Sequence, residues 1–312
     1  MSIREVGPRD GFQNEPEVIA TERKVELIDA LARTGLRRIE VTSFVRPERI
    51  PQLADAERVL ELIDVPANVS LSVLVPNERG LDRALEHRER FAEVNVFLSA
   101  SETHNARNVN RSVADSLAAL EHVLARAREA GLACEGVIST AFGCPYEGHV
   151  PPERVLEIAT RLRDAGAHEV ALADTTGMAN PLQVHELFTV AREALGANTE
   201  LTAHFHNTRG QGLANVLAAL QAGVSSFEAS FGELGGCPVP AGATGNIATE
   251  DLLSMLNEMG LQTGVDLQAL IACSRRAQEL LGRRLGSHTI VAGPIEWHDQ
   301  PARPENERSR ND

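Results

Sequence analysis

Residues 169–206 read EVALADTTGMANPLQVHELFTVAREALGANTELTAHFH and contain a complete strand–helix–strand unit. The short apolar runs Glu169–Ala173 and Glu200–Phe205 are typical of strands that are buried on both faces of a sheet. Between them, apolar residues recur every three or four positions over Pro181–Leu195, which indicates an amphipathic helix that begins with a proline. This order predicts two neighbouring parallel strands joined by a helix.

The same unit recurs along almost the whole chain. Eight strands are predicted, at Ile3–Val6, Arg38–Thr42, Ser70–Val75, Glu93–Leu98, Cys134–Thr140, Glu169–Ala173, Glu200–Phe205 and Ser225–Ala229. Helices are predicted after them, at Glu22–Arg33, Gln52–Ile63, Glu78–Arg88, Ser112–Ala130, Pro152–Ala165, Pro181–Leu195, Gly210–Ala222 and Thr249–Met259. Several of these helices should stop at a glycine, namely Gly35, Gly131, Gly166, Gly223 and Gly260. Eight such units with short connections predict an α/β fold of the (β/α)8 TIM-barrel class, and Leu267–Leu281 adds an extra C-terminal helix.

Length and composition narrow the class of protein. We predict one barrel domain over residues 1–296 and a disordered tail over residues 297–312, because the tail has almost no apolar residues. The net charge of −14, with one Trp and one Tyr, argues against nucleic-acid partners. No run of about 18 apolar residues predicts a membrane span. Four cysteines without paired spacing and no apparent targeting segment predict a cytoplasmic protein.

Polar residues at the carboxyl ends of the predicted strands mark the active face of such a barrel. His204 and His206 are two apart on a strand, so their imidazoles project to the same side. Asp10 follows the first strand, which closes next to the eighth, and can add a carboxylate. Two hydrogen-bonded core histidines are the alternative, but we favour a metal site. Nitrogen and oxygen ligands without a thiolate suit Mg²⁺ or Mn²⁺ better than structural Zn²⁺, although imidazoles are also compatible with Zn²⁺ or Co²⁺.

A glycine-rich segment follows the eighth strand, reading FGELGGCPVPAGATGN over residues 231–246. A loop of this composition at the active face is typical of a mobile lid. Its single cysteine, Cys237, could transfer a proton, because the usual pKa of a thiol, about 8.5, lies near neutral pH. The alternative is a small buried residue in a tight turn.

Together these features resemble the hydroxymethylglutaryl-CoA lyases, which belong to the metal-dependent barrel lyases and Claisen-type synthases. The opening motif EVGPRDGFQNE over residues 5–15 carries the resemblance, together with the H-F-H motif over residues 204–206 and LGGCP over residues 234–238. Further matches are VTSFV (41–45), GCPYEG (143–148), ADTTG (173–177), GNIATED (245–251) and TGVD (263–266). The likeness runs from about Ile3 to Leu285.

The resemblance implies a role for ten residues. Its divalent-cation ligands fall on Asp10, His204, His206 and Asn246. Its essential arginine falls on Arg9, its lid cysteine on Cys237, its acidic residues needed for activity on Glu40 and Asp174, and further active-site positions on Gln13 and Ser43. The implied substrate is the acyl-CoA 3-hydroxy-3-methylglutaryl-CoA, cleaved to acetoacetate and acetyl-CoA. Asp10 and His206 are both candidates for the general base.

Three residues depart from the family pattern. Glu233 stands where glycine is usual, Val239 where an aromatic residue is common, and Asn207 where aspartate is common. A carboxylate on the lid suggests that the acyl group could differ, so a lyase for a related 3-hydroxy-3-substituted acyl-CoA is one alternative function.

A Claisen-type synthase that joins acetyl-CoA to a 2-oxo acid is another alternative, and an aldolase for a 4-hydroxy-2-oxo acid is a third. From a different class, an inactive metal- or CoA-binding protein is a fourth. For CoA itself, the pattern RNVNR over residues 107–111 offers polar groups on a predicted loop. The sequence leaves the oligomeric state open, with a homodimer as one option.

Overall fold

A computed structural model describes residues 1–236 and 245–297 of the chain. Its strands are β1 (Ser2–Glu5), β2 (Arg38–Ser43), β3 (Ser70–Leu74), β4 (Glu93–Ser99), β5 (Ala133–Ser139), β6 (Glu169–Asp174), β7 (Glu200–Phe205) and β8 (Ser226–Ala229). They form one closed barrel in chain order, and every neighbouring pair is parallel, including β1 with β8. The predicted TIM barrel is confirmed, with all eight strands within one residue of their predicted ends.

Eleven helices lie on the outside of the barrel among the described residues, and the long ones bury apolar faces. They are α1 (Thr21–Ala32), α2 (Ala56–Leu62), α3 (Glu78–Leu85), α4 (Glu102–Val109), α5 (Val113–Glu129), α6 (Pro152–Ala165), α7 (Pro181–Leu195), α8 (Gly212–Gln221), α9 (Thr249–Glu258), α10 (Leu267–Leu281) and α11 (His288–Ala292). The extra C-terminal helix, α10, has the predicted bounds. All five predicted stop glycines have a positive φ, as in Gly166 at 109°.

Some sequence predictions about the connections are wrong. Instead of one helix over Gln52–Ile63, the chain forms a short 3-10 turn at Pro51–Leu53 and then α2. The polar segment that was expected to be a loop around Arg107 belongs to α4. This helix has no apolar stripe, because the residues that it buries are His104 and Asn105, so helical periodicity could not reveal it. The short helix α11 was also missed.

The barrel interior contains an ion cluster around Arg4, which the sequence analysis did not predict. The Arg4 guanidinium is fully buried and donates to Glu93 at 2.7 Å, to Glu169 at 3.0 Å and to Glu228 at 3.1 Å, as well as to Glu135. These carboxylates come from β4, β5, β6 and β8. Burial works to lower the pKa of Arg4, but the surrounding carboxylates outweigh it and raise the pKa. Arg4 therefore stays charged and joins four strands of the barrel to β1.

The C-terminal boundary is only partly described. Trp297 donates its indole N–H to Glu258 at the end of α9, at 2.9 Å. The remainder of the predicted tail, residues 298–312, lies outside the described residues. Among the residues that the structure describes, no helix has both the length and the apolar character needed to cross a bilayer.

Candidate active site

A cavity of about 1380 Å³ opens at the carboxyl ends of the strands. Its base is formed by Arg9, Asp10, His204, His206 and Glu228. This is the end of a TIM barrel at which catalytic residues gather. The cavity is therefore the candidate active site.

Arg9 and Asp10 lie just beyond β1, in a π-helical turn over Gly7–Gly11. The Asp10 amide closes this turn by donating to the Val6 carbonyl at 2.7 Å. Any Cβ at Gly7 would overlap the Phe231 ring. Glycine at this position thus lets the turn pack against the chain after β8 and brings its two charged residues to the cavity.

The second half of the site is a short antiparallel pairing between the end of β7 and residues 245–247. Ile247 N donates to the Phe205 carbonyl at 3.0 Å, and Asn207 N donates to the Gly245 carbonyl at 3.1 Å. His206 and Asn246 are therefore directly opposite each other. Asn246 is 40 residues beyond His206 in the chain, and this pairing is what places it at the cavity.

Asp10, His204, His206 and Asn246 come together in a way that fits a divalent cation. One ligand atom from each of Asp10, His204 and His206 lies within 4.8 Å of the other two. The Nε2 atoms of the two imidazoles are 3.1 Å apart, so both nitrogens face one small space. Asn246 donates to Asp10 Oδ2 at 2.7 Å, whereas its Oδ1 is buried without a hydrogen-bond partner among the described residues. A cation in this space would satisfy all four groups.

The charges of the cluster also suit cation binding. Burial works to raise the pKa of Asp10, but the positive charge of Arg9, with a smaller contribution from His204, holds it below its usual value. Burial and the neighbouring His204 lower the pKa of His206 to about 3, so this imidazole is neutral. For His204, burial works to lower the pKa, but the hydrogen bond to Glu228 outweighs it and raises the pKa.

Glu228 is the main functional residue that the sequence analysis missed. Its Oε2 faces His204 Nδ1 at 2.8 Å, which turns His204 Nε2 towards Asp10 and His206. Its Oε1 accepts from Arg4 at 3.1 Å. Burial opposes ionisation of Glu228, but these two partners lower its pKa to about 2. A glutamate inside the otherwise apolar strand β8 was the available signal.

Glu40 and Arg9 form a second buried unit beside the cluster. Arg9 Nε donates to Glu40 at 2.5 Å, and Arg9 Nη1 donates to Asp10 at 2.6 Å. The other Glu40 oxygen accepts from Asn95 at 2.9 Å. Gln13 donates to Asp10 at 2.6 Å, so it lies at the site as predicted. The two carboxylates thus fix the orientation of the Arg9 guanidinium at the base of the cavity.

Two predicted site residues lie behind the cavity wall. Ser43 is buried, and its hydroxyl accepts from Val45 N at 3.2 Å, while its neighbours line the cavity. Asp174 Oδ1 accepts from Met178 N at 2.7 Å and from Ala179 N at 3.1 Å. Its Oδ2 is buried without a partner among the described residues, and burial raises the pKa of Asp174 to about 7.

The outer wall of the cavity is rich in arginine. Besides Arg9, the lining arginines are Arg46, Arg49, Arg79, Arg83, Arg107 and Arg111. The Arg107 guanidinium lies over the Tyr146 ring at 4.1 Å from its centroid, an arrangement that makes one flat surface. On a chain with a net charge of −14, this local concentration of cations suits an anionic ligand.

The glycine-rich segment is described only at its two ends. Cys237 and Val239 lie outside the described residues, so their predicted roles stay predictions. Glu233 adopts a left-handed conformation, with φ at 64°, and its Oε1 accepts from Asn207 Nδ2 at 3.0 Å. It is not among the residues that line the cavity.

Comparison with known proteins shows that this chain is similar to one protein family over most of its length. The HMGL-like family model matches residues 1–276. A hydroxymethylglutaryl-CoA lyase of Bacillus subtilis is 46% identical over 290 residues, which cover 93% of this chain and 96% of the relative. An (R)-citramalyl-CoA lyase of Chloroflexus aurantiacus is 42% identical over 305 residues, covering 95% of each chain.

The solved structures give the same result. An HMG-CoA lyase from Acinetobacter baumannii, in complex with coenzyme A and 3-methylmalate, superimposes with a TM-score of 0.90 and 41% identity. The match covers 96% of this chain and 98% of that structure. The resemblance noted in the motifs therefore extends over the whole barrel.

Proposed function

The chain belongs to the HMGL-like family, and on this basis we propose that it is a carbon–carbon lyase that cleaves 3-hydroxy-3-methylglutaryl-CoA to acetoacetate and acetyl-CoA. One observation carries the proposal. A buried cluster of ligand groups and a fixed arginine stand together at the base of a large cavity whose outer wall is cationic. This arrangement suits a reaction centre next to a binding site for the anionic coenzyme A group.

Asp10, His204, His206 and Asn246 would hold the divalent cation, which we propose to be Mg²⁺ or Mn²⁺. A bound cation supplies Lewis acidity, which lowers the pKa of the substrate's tertiary hydroxyl. The chain prepares this site before the cation arrives, because His206 is kept neutral and Asp10 is kept ionised by their surroundings. Neither ligand then has to lose a proton near neutral pH.

Arg9 would stabilise the charge that develops during cleavage. Once a base, either Asp10 or His206, takes the proton of the hydroxyl, the bond between C2 and C3 breaks. C3 becomes the ketone carbon of acetoacetate, and the electron pair of the bond moves onto the acetyl thioester as an enolate. Arg9 is held by Glu40 and Asp10, so a permanent cation faces the cavity without having to reorganise. The enolate carbon then takes up a proton to give acetyl-CoA, and we assign this step to Cys237 as a prediction from the sequence.

The arginine-rich wall would bind the phosphates of coenzyme A. Arg107 and Arg111, at the two ends of the RNVNR pattern, both line the cavity. Arg46 and Arg79 line it as well, and among the described residues neither forms an ion pair with a carboxylate. Guanidinium groups free of carboxylates are suited to phosphate binding. The coenzyme A in the relative from Acinetobacter baumannii supports this assignment.

The alternative functions have less support. The acyl-group alternative depended on a carboxylate at Glu233 that faces the substrate, but this carboxylate is bound to Asn207. The synthase alternative has less support because the relatives described above are named as lyases. A cytoplasmic location and a homodimer stay predictions.

The test is the release of acetyl-CoA from 3-hydroxy-3-methylglutaryl-CoA, with (R)-citramalyl-CoA as the comparison substrate. We expect activity that is lost after chelation, restored by Mg²⁺ or Mn²⁺, and abolished or strongly reduced in Cys237→Ala. A clear preference for (R)-citramalyl-CoA would keep the lyase reaction and overturn the proposed acyl group. No cleavage of either thioester by metal-loaded protein would overturn the lyase itself.

A further inference from the structure

Glu233 and Asn207 meet at the junction of three chain segments beside the ligand cluster. The segments are the end of β7, the turn after β8, and residues 245–247. Asn207 Nδ2 donates to Glu233 at 3.0 Å, and Asn207 Oδ1 accepts from Gly212 N at 3.3 Å. The Asn207 side chain therefore uses both ends of its amide.

The surroundings of Glu233 are shaped to hold its side chain in one place. Any Cβ at Gly286 would overlap the Glu233 carboxylate, and any Cβ at Gly245 would overlap its backbone oxygen. Its left-handed backbone is one that glutamate rarely adopts. A strained conformation of this kind persists where neighbouring contacts fix it, and within the described part of the chain the Glu233 carboxylate is held by Asn207.

The segment that Glu233 fixes is in direct contact with one proposed cation ligand. Leu234, the next residue, accepts through its carbonyl from Asn246 Nδ2 at 3.0 Å. Asn246 Nδ2 also donates to Asp10, so both of its N–H groups are used. This fixes the direction of the amide and leaves Asn246 Oδ1 as the unpartnered atom.

We propose that Glu233 and Asn207 are a matched positioning pair, in which the contact between their side chains holds Leu234 in place and so aims Asn246 Oδ1 at the cation. The inference rests on the proposed function, because it needs a cation at this site. The pair requires one donor and one acceptor, so the identity of either side chain constrains the other.

The first test compares two substitutions of equal charge and similar length, Glu233→Gln and Glu233→Met. Glutamine can still accept from Asn207, whereas methionine cannot. We expect Glu233→Gln to bind Mn²⁺ within about threefold of the wild type, and Glu233→Met to bind it about tenfold more weakly, at the lower end of the effect of outer-shell partners. The free Mn²⁺ concentration is followed by electron paramagnetic resonance. Equal affinities in the two variants would overturn the proposal.

The second test exchanges donor and acceptor. Asn207→Asp alone sets two carboxylates against each other, whereas Asn207→Asp with Glu233→Gln restores a complementary pair of wild-type charge. We expect the double variant to bind Mn²⁺ about tenfold more tightly than Asn207→Asp. If only the added negative charge mattered, Asn207→Asp would bind Mn²⁺ more tightly than the double variant.

Folding and function are separated by two controls. Melting temperatures in the presence of a chelator show whether each variant folds. If Glu233→Met does not fold, the exchange at positions 207 and 233 still tests the proposal. If the wild-type protein binds no Mn²⁺ and cleaves no thioester, the proposed function and this inference both fail. If it does both, but the exchange restores nothing, only the positioning pair is wrong.

Discussion

Replacing Glu228 with glutamine keeps the length of the side chain but removes one of its two oxygen acceptors. In the protein, one oxygen faces His204 Nδ1 at 2.8 Å and the other accepts from Arg4 at 3.1 Å. The NH2 group of glutamine must then face one of these partners. If it faces Arg4, two donors oppose each other. If it faces His204, that imidazole must carry its proton on Nε2, the atom that is needed for the cation.

The expected loss follows from the single hydrogen bond at stake. A hydrogen bond to a charged group contributes about 1.5–3 kcal/mol. At about 1.4 kcal/mol for each factor of ten, its loss weakens Mn²⁺ binding roughly 10- to 100-fold, which is also the range measured for outer-shell partners of metal ligands. The assay is a Mn²⁺ titration of Glu228→Gln followed by electron paramagnetic resonance, with the melting temperature measured in chelator.

Glu135→Gln is the matched control. Glu135 contributes a carboxylate to the same Arg4 guanidinium, but its Oε1 has no partner among the described residues. An amide at this position can turn its oxygen towards Arg4 without opposing another donor. We expect its Mn²⁺ affinity to stay within about threefold of the wild type. If the two variants lose affinity equally, or neither does, the assignment of Glu228 as the partner that orients His204 is refuted.

Three further predictions concern activity, pH and salt. Arg9→Lys keeps the charge but cannot bridge Glu40 and Asp10 through separate N–H groups. We therefore expect kcat to fall about 10²- to 10³-fold with a small change in KM. An unchanged kcat in steady-state assays would contradict this. Burial raises the pKa of Asp174 from 3.8 to about 7, so its contribution to folding is complete at low pH and is lost as the pH rises through that range. Asp174→Asn should therefore lose less unfolding free energy between pH 5 and pH 8 in urea titrations than the wild type, and an equal or larger loss refutes the assignment. Arg79→Ala should raise the KM for the acyl-CoA about tenfold with kcat unchanged, and added salt should reduce the difference in KM between variant and wild type. A fall in kcat alone would show that Arg79 does not bind CoA.

The sequence predicted the barrel well because its signals are local. Most strands contain a short apolar run, and each long helix carries an apolar stripe that can be detected without knowing its partners. The failures have the same cause. Helix α4 buries polar side chains and α11 has five residues, so neither contains a periodic apolar pattern long enough to detect.

For the site, the sequence determined which residues share a strand, a turn or a face. His204 in β7 and His206 just beyond it are at positions i and i+2 of one extended segment, so they must project together. The charged turn after β1 must lie at the same end of the barrel. These conclusions need only strand geometry and the order of the elements. The family resemblance then supplied Asn246, which no local pattern marks as a ligand.

Tertiary structure decided which side chains complete the site, because their partners are far apart in the chain. Asn246 reaches Asp10 across 236 positions, and Glu228 reaches Arg4 across 224, since barrel closure places β8 beside β1. The contact between Asn207 and Glu233 also joins residues that are distant in the chain, so the sequence did not reveal it. Each of them departs from the family pattern in a way that looks independent in the sequence, and only the fold brings the amide and the carboxylate into one hydrogen bond.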